Sequence, residues 1–255
     1  MTELLLLIAG LLGGAVNSLA GGGSFIVFPA LLAVGVTPVI ANASNTYAAL
    51  PGYVSGAAGY WSGIVAHKHR LVVYSIVALI FGYVGAELLL VVSNAQFSLV
   101  VPWLMLFAVV LFIFGNRINA YAARRGGGRR GMKLLGTLLL MVFLALVCVY
   151  GGFFNAGLGF LTLAFLATAG ISDIHAMNGL KMWIAAVVAV VAVGRFALSG
   201  SIDWYHGSIA MVGVTVGAYV AARNAHRFPR QAIRAGVIVY GIGMTAWFFW
   251  KAYFV

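Results

Sequence analysis

Long runs of uncharged, apolar residues constrain this chain more than any other feature of its sequence. Of its 255 residues, 64% are hydrophobic and only 7% are charged, whereas soluble domains carry roughly a quarter charged residues. Several runs reach about 20 residues, enough for a helix to cross a hydrocarbon core of ~30 Å. They lack the alternation of polar and apolar residues that barrel strands require. Because lipid cannot satisfy free backbone groups, the sequence predicts an all-α polytopic membrane protein.

The apolar segments differ in length, and two of them are too short to span a bilayer. In chain order they cover residues 3–19, 24–35, 38–65, 71–93, 97–122, 134–156, 160–170, 174–198, 205–222 and 231–253. The short segments, 24–35 and 160–170, each follow a glycine-containing break. A straight helix over 3–35 would be about 50 Å long, too long for one crossing and too short for two. Residues 1–35 and 134–170 therefore form either broken helices that cross or re-entrant hairpins that return.

The basic residues favour hairpins. If each half consists of a re-entrant hairpin and three transmembrane helices, the loops at 66–70, 117–133 and 223–234 share one side. These loops hold 12 of the 15 lysines and arginines: Lys68, Arg70, Arg117, Arg124, Arg125, Arg129, Arg130, Lys133, Arg223, Arg227, Arg230 and Arg234. The positive-inside rule then makes these loops cytoplasmic and both termini extracytoplasmic. Three crossings per half also invert the second half relative to the first.

The two halves also resemble each other in sequence. Residues 13–17, Gly-Gly-Ala-Val-Asn, are echoed by Gly-Gly-Phe-Phe-Asn at 151–155, and a glycine break and a half-helix follow each motif. Glycine is common in membrane helices generally, but here it recurs beside matching asparagines. We predict inverted repeats at 1–123 and 134–255, joined by a basic cytoplasmic linker at 124–133. Inverted, helix-broken halves are typical of secondary transporters.

The half-helices predict a binding site for an anion. Helix N-termini carry unpaired N–H groups and a partial positive charge, and Ser24 is a candidate N-cap. Glycines in the breaks let a ligand approach the backbone closely; they are Gly21, Gly22, Gly23, Gly157 and Gly159. Asn17 and Asn155 immediately precede the breaks, where an amide can bond either loose backbone groups or a ligand.

Lys181 is a charged residue that lies about two turns inside a predicted membrane helix. An isolated ammonium in lipid is costly, so the side chain should face an aqueous cavity or an anion. Snorkelling to the cytoplasmic interface is the alternative reading. His175, Asn178 and Lys181 are spaced three residues apart and lie roughly along one helix face, which makes all three candidate substrate ligands.

Polar residues stand at a comparable depth in the first half. Asn42, Asn45 and Thr46 are candidate substrate ligands, although asparagine in membrane helices can equally serve as an interhelical contact. Pro51 is expected to break this helix one to two turns later. Which of the two roles each amide has stays open at the level of sequence.

Three further charged residues are candidates for coupling or gating. Glu87 could carry a coupling proton, because a desolvated carboxylate binds its proton more tightly, or it could pair with Arg195, which we favour. Arg195 and Asp203 lie near the outer ends of their helices, where an exit-side or structural ion pair is expected.

Several function classes are disfavoured. The single cysteine, Cys148, permits neither an internal disulfide nor a cysteine-rich metal site. We find no acid–base pair, nucleophile or metal-spaced cluster in the apolar segments, so we predict no enzyme, metal or cofactor. The net charge of +11 belongs to short loops, which argues against nucleic acid. The N-terminus lacks a basic region and a cleavage site, so we interpret it as mature protein.

The sequence resembles the TauE/SafE family of membrane permeases, including its YfcA-like members, over essentially the whole chain. The resemblance is carried by residues 17–24, by Pro29, by residues 41–46 leading to Pro51-Gly52, and by Asn178, Lys181, 194–196 and 201–204. It implies an inner-membrane transporter that exports sulfite, sulfoacetate or related organosulfonates. The second break, residues 155–159, is poorer in glycine than the family's usual triple run.

The predicted partners are a small anionic substrate, a coupling ion such as a proton and the lipid bilayer, and the sequence leaves open whether a second copy of the chain completes a homo-oligomer. A passive anion channel and a transporter of another small anion, such as a carboxylate, are the alternatives.

Overall fold

The computed structural model describes residues 1–20, 22–125, 133–223 and 230–254. These ranges form helices and the turns between them, without a strand. In chain order the helices are α1 (Thr2–Ala20), α2 (Ser24–Ala33), α3 (Pro38–Gly59), α4 (Trp61–Val65), α5 (Lys68–Val91), α6 (Asn94–Arg125), α7 (Lys133–Phe153), α8 (Leu158–Thr168), α9 (Ile174–Leu198), α10 (Trp204–Arg223) and α11 (Arg230–Tyr253). Gly21, a predicted ligand, lies outside the described residues, as do Arg129, Arg130 and Arg227.

Four helices in the described part of the chain have the length and apolarity to cross a membrane. These segments are Lys68–Val91, Asn94–Leu111, Gly136–Phe153 and His175–Leu198, and shorter apolar helices cover Thr2–Ser18, Ser24–Ala33 and Leu158–Thr168. Large apolar side chains such as Val72, Ile80 and Leu139 are exposed on these helices. Such an apolar exterior is stable in lipid, whereas in water it would drive association.

The chain reverses direction at both breaks, so each short helix lies against the helix before it. A Cβ placed on Gly13 would lie 3.0 Å from the Gly23 carbonyl oxygen and 2.6 Å from a methyl of Val27. Residues ten apart would be separated by about 15 Å in one straight helix. At the second break, a Cβ on Gly151 would lie 2.7 Å from Leu158. Residues 1–33 and 133–168 are therefore helical hairpins in shape.

The two hairpins are held together through aromatic packing. Phe28 of α2 makes an edge-to-face contact with Phe154 at the second break, with ring centroids 5.8 Å apart, and stacks on Phe248 of α11 at 6.0 Å. Phe97 of α6 contacts both Phe28 and Phe154. All four rings are buried. This cluster fixes the position of the second break relative to α2.

Glycines allow close approach of two helix pairs, α1 with α10 and α7 with α5. A Cβ on Gly14 of α1 would lie only 2.0 Å from the Val214 carbonyl oxygen, and one on Gly152 of α7 only 2.2 Å from the Gly82 carbonyl oxygen. Small residues at such crossings let membrane helices gain van der Waals contact along their backbones. The crossings of α1 on α10 and of α7 on α5 are therefore both close contacts between helix backbones at glycines.

Hydrogen bonds define two opposite ends of the bundle. At one end they join the starts of α1, α3, α6 and α10, through the pairs Glu3–Tyr205 (3.3 Å), Val39–Asn94 (3.0 Å) and Ser44–Asp203 (2.9 Å). At the other end, the Arg70 guanidinium at the start of α5 donates to the Ala169 carbonyl after α8, at 2.9 Å. Gly63 lies there against the start of α9, close to the backbone of His175 and Ala176.

Two local expectations, for Pro51 and for Ser24, are wrong. Pro51 does not break its helix, because α3 runs from Pro38 to Gly59 with Pro51 inside it; neighbouring helices hold such a segment despite one lost hydrogen bond. Within the apolar segment 38–65, a separate short helix, α4, follows α3 after Tyr60. Ser24 is not the N-cap of α2 but its first residue, and Gly23 is the cap, without a side-chain bond.

The reason for a glycine cap is steric. A Cβ on Gly23 would lie 2.3 Å from the Gly13 carbonyl oxygen and 2.7 Å from Cβ of Asn17. A serine at this position would collide with α1, so the hairpin excludes the residue types that cap most helices. Most of the predicted linker, 124–133, lies outside the described residues, between Arg125 at the end of α6 and Lys133 at the start of α7.

Candidate functional site

The two chain breaks meet at a small internal cavity. Its volume is about 20 Å³, and it is lined by Asn17, Ser24, Tyr53, Asn155, Gly157, Gly159, Lys181, Met182 and Ala185. A cavity of this size holds about one water molecule. Six of these nine residues are among the sequence-predicted ligands, and they come from α1, α2, the second break, α8 and α9.

A much larger vestibule adjoins the small cavity. It has a volume of about 730 Å³ and shares Asn17, Lys181 and Met182 with the small cavity. The predicted ligands His175 and Asn178 line the vestibule, together with Ser18, Ser55, Tyr60, Ser62, Thr215, Tyr219 and several glycines. Its walls therefore combine small residues with hydroxyl groups and two amides, those of Asn17 and Asn178.

A third, narrow space lies on the side of the first break. Gly13, Asn17, Gly23, Ser24 and Asn45 line it together with Val27, Ala49 and Val214, and its volume is about 10 Å³. Asn17 and Ser24 belong to both small cavities. Gly22 is close by in the chain, and its carbonyl accepts the Phe25 N–H at 3.2 Å.

Lys181 points along the first turn of α8. Its Nζ donates to Oδ1 of Asn178 at 3.1 Å, and a Cβ on Gly159 would be in ordinary contact, 3.5 Å, with its Cδ. The ammonium thus lies between the vestibule and the N-terminus of α8, where both the charge and the helix dipole favour an anion. Gly157, which precedes α8, has φ +86°, a left-handed conformation that favours glycine.

Tyr53 belongs to this site although it was not predicted as a ligand. Its hydroxyl donates to Oδ1 of Asn155 at 2.8 Å, across 102 residues of sequence. Helical spacing could have indicated Tyr53 from the sequence, because Asn45, Ala49 and Tyr53 are four residues apart and share one face of α3. Met182 and Ala185 were likewise missed, because apolar residues in an apolar helix carry no signal of their own.

Asn42 and Thr46 line none of these three cavities. The Asn42 amide donates to the Phe153 carbonyl at 2.8 Å, and the Thr46 hydroxyl donates to the Asn42 carbonyl at 3.1 Å. Both residues are buried. Their contacts join α3 to the last residue of α7, which is the interhelical role that the sequence left open for asparagine.

The charged residues near the other end of the bundle form two pairs. The Arg195 guanidinium donates to both carboxylate oxygens of Glu87, with Nη2 to Oε2 at 3.2 Å. Asp203 pairs instead with His206, Oδ2 to Nδ1 at 2.7 Å, and its Oδ1 accepts the His206 N–H at 3.0 Å. Asp203 thereby caps the start of α10. Neither pair lines the cavities described above.

Among the described residues, no group of three histidine, cysteine, aspartate or glutamate side chains lies close enough to hold a metal ion. Cys148 is buried and forms no disulfide. The cavities contain an ammonium, amides, hydroxyls and helix N-termini, groups that bind a polar ligand.

Fold and site together define a polytopic α-helical membrane protein with an internal polar cavity that contains a lysine. The family model described as "Sulfite exporter TauE/SafE" matches residues 6–248. The chain belongs to the TauE/SafE family of membrane transporters.

Curated relatives agree with this assignment. A probable membrane transporter protein of Haemophilus influenzae is 29% identical over 244 residues, covering 95% of this chain and 92% of the relative. One from a Sinorhizobium species is 26% identical, covering 94% and 89%. The probable membrane transporter protein YfcA of Escherichia coli K12 is 24% identical, covering 92% and 85%. No solved structure matches the chain significantly. Family and relatives indicate a transporter and not an enzyme.

Proposed function

We propose that this chain is a secondary transporter that exports a small sulfur-containing anion, such as sulfite, sulfoacetate or a related organosulfonate. The observation that carries the proposal is the convergence of both chain breaks and Lys181 on one cavity. The description of the family model supports the choice of substrate. The anion binds between the N-terminal ends of α2 and α8, and alternating access exposes it to each side in turn.

The chemistry of the cavity walls supports an anion. The helices α2 and α8 have 10 and 11 residues and begin beside the cavity at Ser24 and Leu158, so their partial positive charges face it. Lys181 adds a full positive charge. None of the residues lining the small cavity or the vestibule is acidic. A cation would meet three repulsive groups there, whereas an anion meets three attractive ones.

The proposed mechanism rests on two inverted halves, residues 1–123 and 134–255. The similar glycine crossings of α1 on α10 and of α7 on α5 support this arrangement. In the proposed topology the basic loops are cytoplasmic, both termini are extracytoplasmic, and 1–35 and 134–170 are re-entrant. The vestibule includes Tyr60, Gly63 and Tyr219, which precede the basic segments at 66–70 and 223–234. The vestibule accordingly opens to the cytoplasm, as an exporter awaiting its substrate requires.

Efflux from proteoliposomes tests the role of Lys181. Lys181→Ala and Lys181→Glu should each reduce sulfite efflux more than about tenfold, because a charged hydrogen bond to the anion is lost. Lys251→Ala is the matched control, since this lysine lies at the end of α11 over the ring of Trp247. Normal efflux in both Lys181 variants would remove Lys181 from the site.

The same preparation distinguishes the alternatives. Unitary currents in planar bilayers would indicate a passive channel, whereas slow, saturable efflux indicates a carrier. Thermal stabilisation by acetate in place of sulfite and sulfoacetate would assign a carboxylate as substrate. An imposed proton gradient that changes the efflux rate would identify the coupling ion, and light scattering of the detergent-solubilised protein would give the oligomeric state.

A further inference from the structure

We infer that Tyr53 is a positioning residue for the anion, acting through Asn155. The inference rests on the proposed function and deepens it, since it identifies the Asn155 NH₂ group as a hydrogen-bond donor to the anion's oxygens. Tyr53 comes from the C-terminal part of α3 and Asn155 from the break between α7 and α8. Both line the small cavity, and both are buried, with 8% and 2% of their surfaces exposed.

The hydrogen bond between these side chains orients the amide. The Tyr53 hydroxyl donates to Oδ1 of Asn155 at 2.8 Å, which occupies the acceptor half of the amide. The donor half, Nδ2, is buried and has no hydrogen-bond partner among the described residues. A primary amide presents either an acceptor or a donor to its surroundings, depending on a half-turn about its last bond. Tyr53 therefore keeps the NH₂ group, and not the oxygen, available to a ligand.

An unpaired buried donor is costly, so native proteins rarely keep one without a reason. The Asn155 amide lies at the break that precedes α8. In the first turn of α8, Gly159 lies next to the Lys181 side chain. The two side chains and the helix N-terminus thus supply donors around one cavity of about 20 Å³. An oxyanion, whose deprotonated oxygens only accept hydrogen bonds, satisfies all of them at once.

The arrangement also selects against neutral ligands. A protonated acid or an amide must donate at least one hydrogen bond, and the locked Asn155 offers it no acceptor. Without the Tyr53 hydroxyl, the amide can turn and present Oδ1, which repels an anion. The Tyr53–Asn155 pair consequently enhances the affinity for the fully deprotonated anion, while the large vestibule leaves an organic substituent unconstrained.

Sulfite efflux from proteoliposomes containing the full chain tests this inference. Tyr53→Phe should raise the KM for sulfite about fivefold, the worth of one hydrogen bond, with little change in maximal rate. Tyr47→Phe is the matched control, because it removes a tyrosine hydroxyl of the same helix that bonds Ser208 at 3.2 Å and lines none of the three cavities. Its KM should equal that of the wild type.

A double-mutant cycle separates positioning from a general structural role. In an Asn155→Ala background, adding Tyr53→Phe should leave the KM unchanged within about twofold, because the amide that Tyr53 orients is gone. Additive effects of the two substitutions would overturn the inference. Asn155→Asp keeps the acceptor for Tyr53 and the shape of the side chain, so it should fold even if Tyr53→Phe does not. It replaces the donor by a carboxylate oxygen and should raise the KM more than about tenfold.

Failure of this inference differs from failure of the proposed function. If the wild type exports sulfite and Lys181→Ala abolishes export, an unchanged KM in both Tyr53→Phe and Asn155→Asp overturns the inference alone. A wild type that moves no sulfite overturns the proposed function, and this inference with it.

Discussion

The crossing of α1 on α10 offers the sharpest test of the packing. An ideal Cβ on Gly14 would lie 2.0 Å from the Val214 carbonyl oxygen, 2.7 Å from its carbonyl carbon and 2.8 Å from its Cα. All three atoms belong to the backbone, so no side-chain rotation relieves the overlap. To bring the first distance to 3.0 Å, the helices must separate by at least 1.0 Å, the difference between these values.

Separation of the helices weakens many contacts at once. A gap of 0.5–1 Å forfeits roughly a quarter to a half of each dispersion contact, and Gly10, Gly213 and Gly217 place further backbone atoms at the same crossing. We therefore expect Gly14→Ala to lower the free energy of unfolding by about 2–3 kcal/mol, near the upper end of the usual cost of overpacking. For a chain of this size that corresponds to a fall of about 5–10 °C in Tm.

The assay is thermal unfolding of detergent-solubilised protein, followed by fluorescence-detected size exclusion. Gly136→Ala is the matched control, since a Cβ there meets nothing within 4 Å and α7 should gain about 0.5–1 kcal/mol from the better helix former. Gly152→Ala, at the corresponding crossing of α7 on α5, should behave like Gly14→Ala. Equal Tm values for Gly14→Ala and Gly136→Ala would refute the reasoning.

Two further predictions concern the second break and the ion pair of Glu87 with Arg195. Gly157→Ala should lower the free energy of unfolding by about 1–2 kcal/mol, because φ +86° is strained for a residue with a Cβ, and sulfite efflux should fall as well. Gly157→Asn tolerates this conformation better and should recover part of the stability and part of the efflux. Equal stability of the Ala and Asn variants would count against the strain. Glu87→Gln should lower Tm by less than Gly14→Ala does, because it breaks the pair with Arg195 without a steric clash. If Glu87→Gln instead abolishes the response of sulfite efflux to a proton gradient, Glu87 is a coupling residue and not only an ion-pair partner.

Much of the helical organisation could be read from individual residues. Runs without charge predicted the membrane helices, and the observed bounds of α9, Ile174–Leu198, coincide with the predicted 174–198. Glycine breaks predicted the ends of the short helices within a few residues. The expectation for Pro51 failed because a single residue's preference against helix is weaker than the packing of α3 among its neighbours. The expectation that Ser24 caps α2 failed for a similar reason. The cap position is Gly23, where the close approach to Gly13 leaves no room for a side chain.

Contacts across the chain could not be read in this way. The amides of Asn42 and Asn155 look alike in sequence, yet one bonds the end of α7 and the other lines the cavity. Their difference depends on which helix packs beside each one, and no local pattern encodes that.

The sequence by itself determined that this chain is a polytopic α-helical membrane protein, because transfer of apolar side chains into lipid depends mainly on composition and length. It also singled out Lys181, since a charge in an apolar run is costly wherever the helix lies. Only the tertiary structure decided which groups surround that lysine. Tyr53 meets Asn155 across 102 residues, because the position of a side chain relative to a distant one follows from the packing of whole helices.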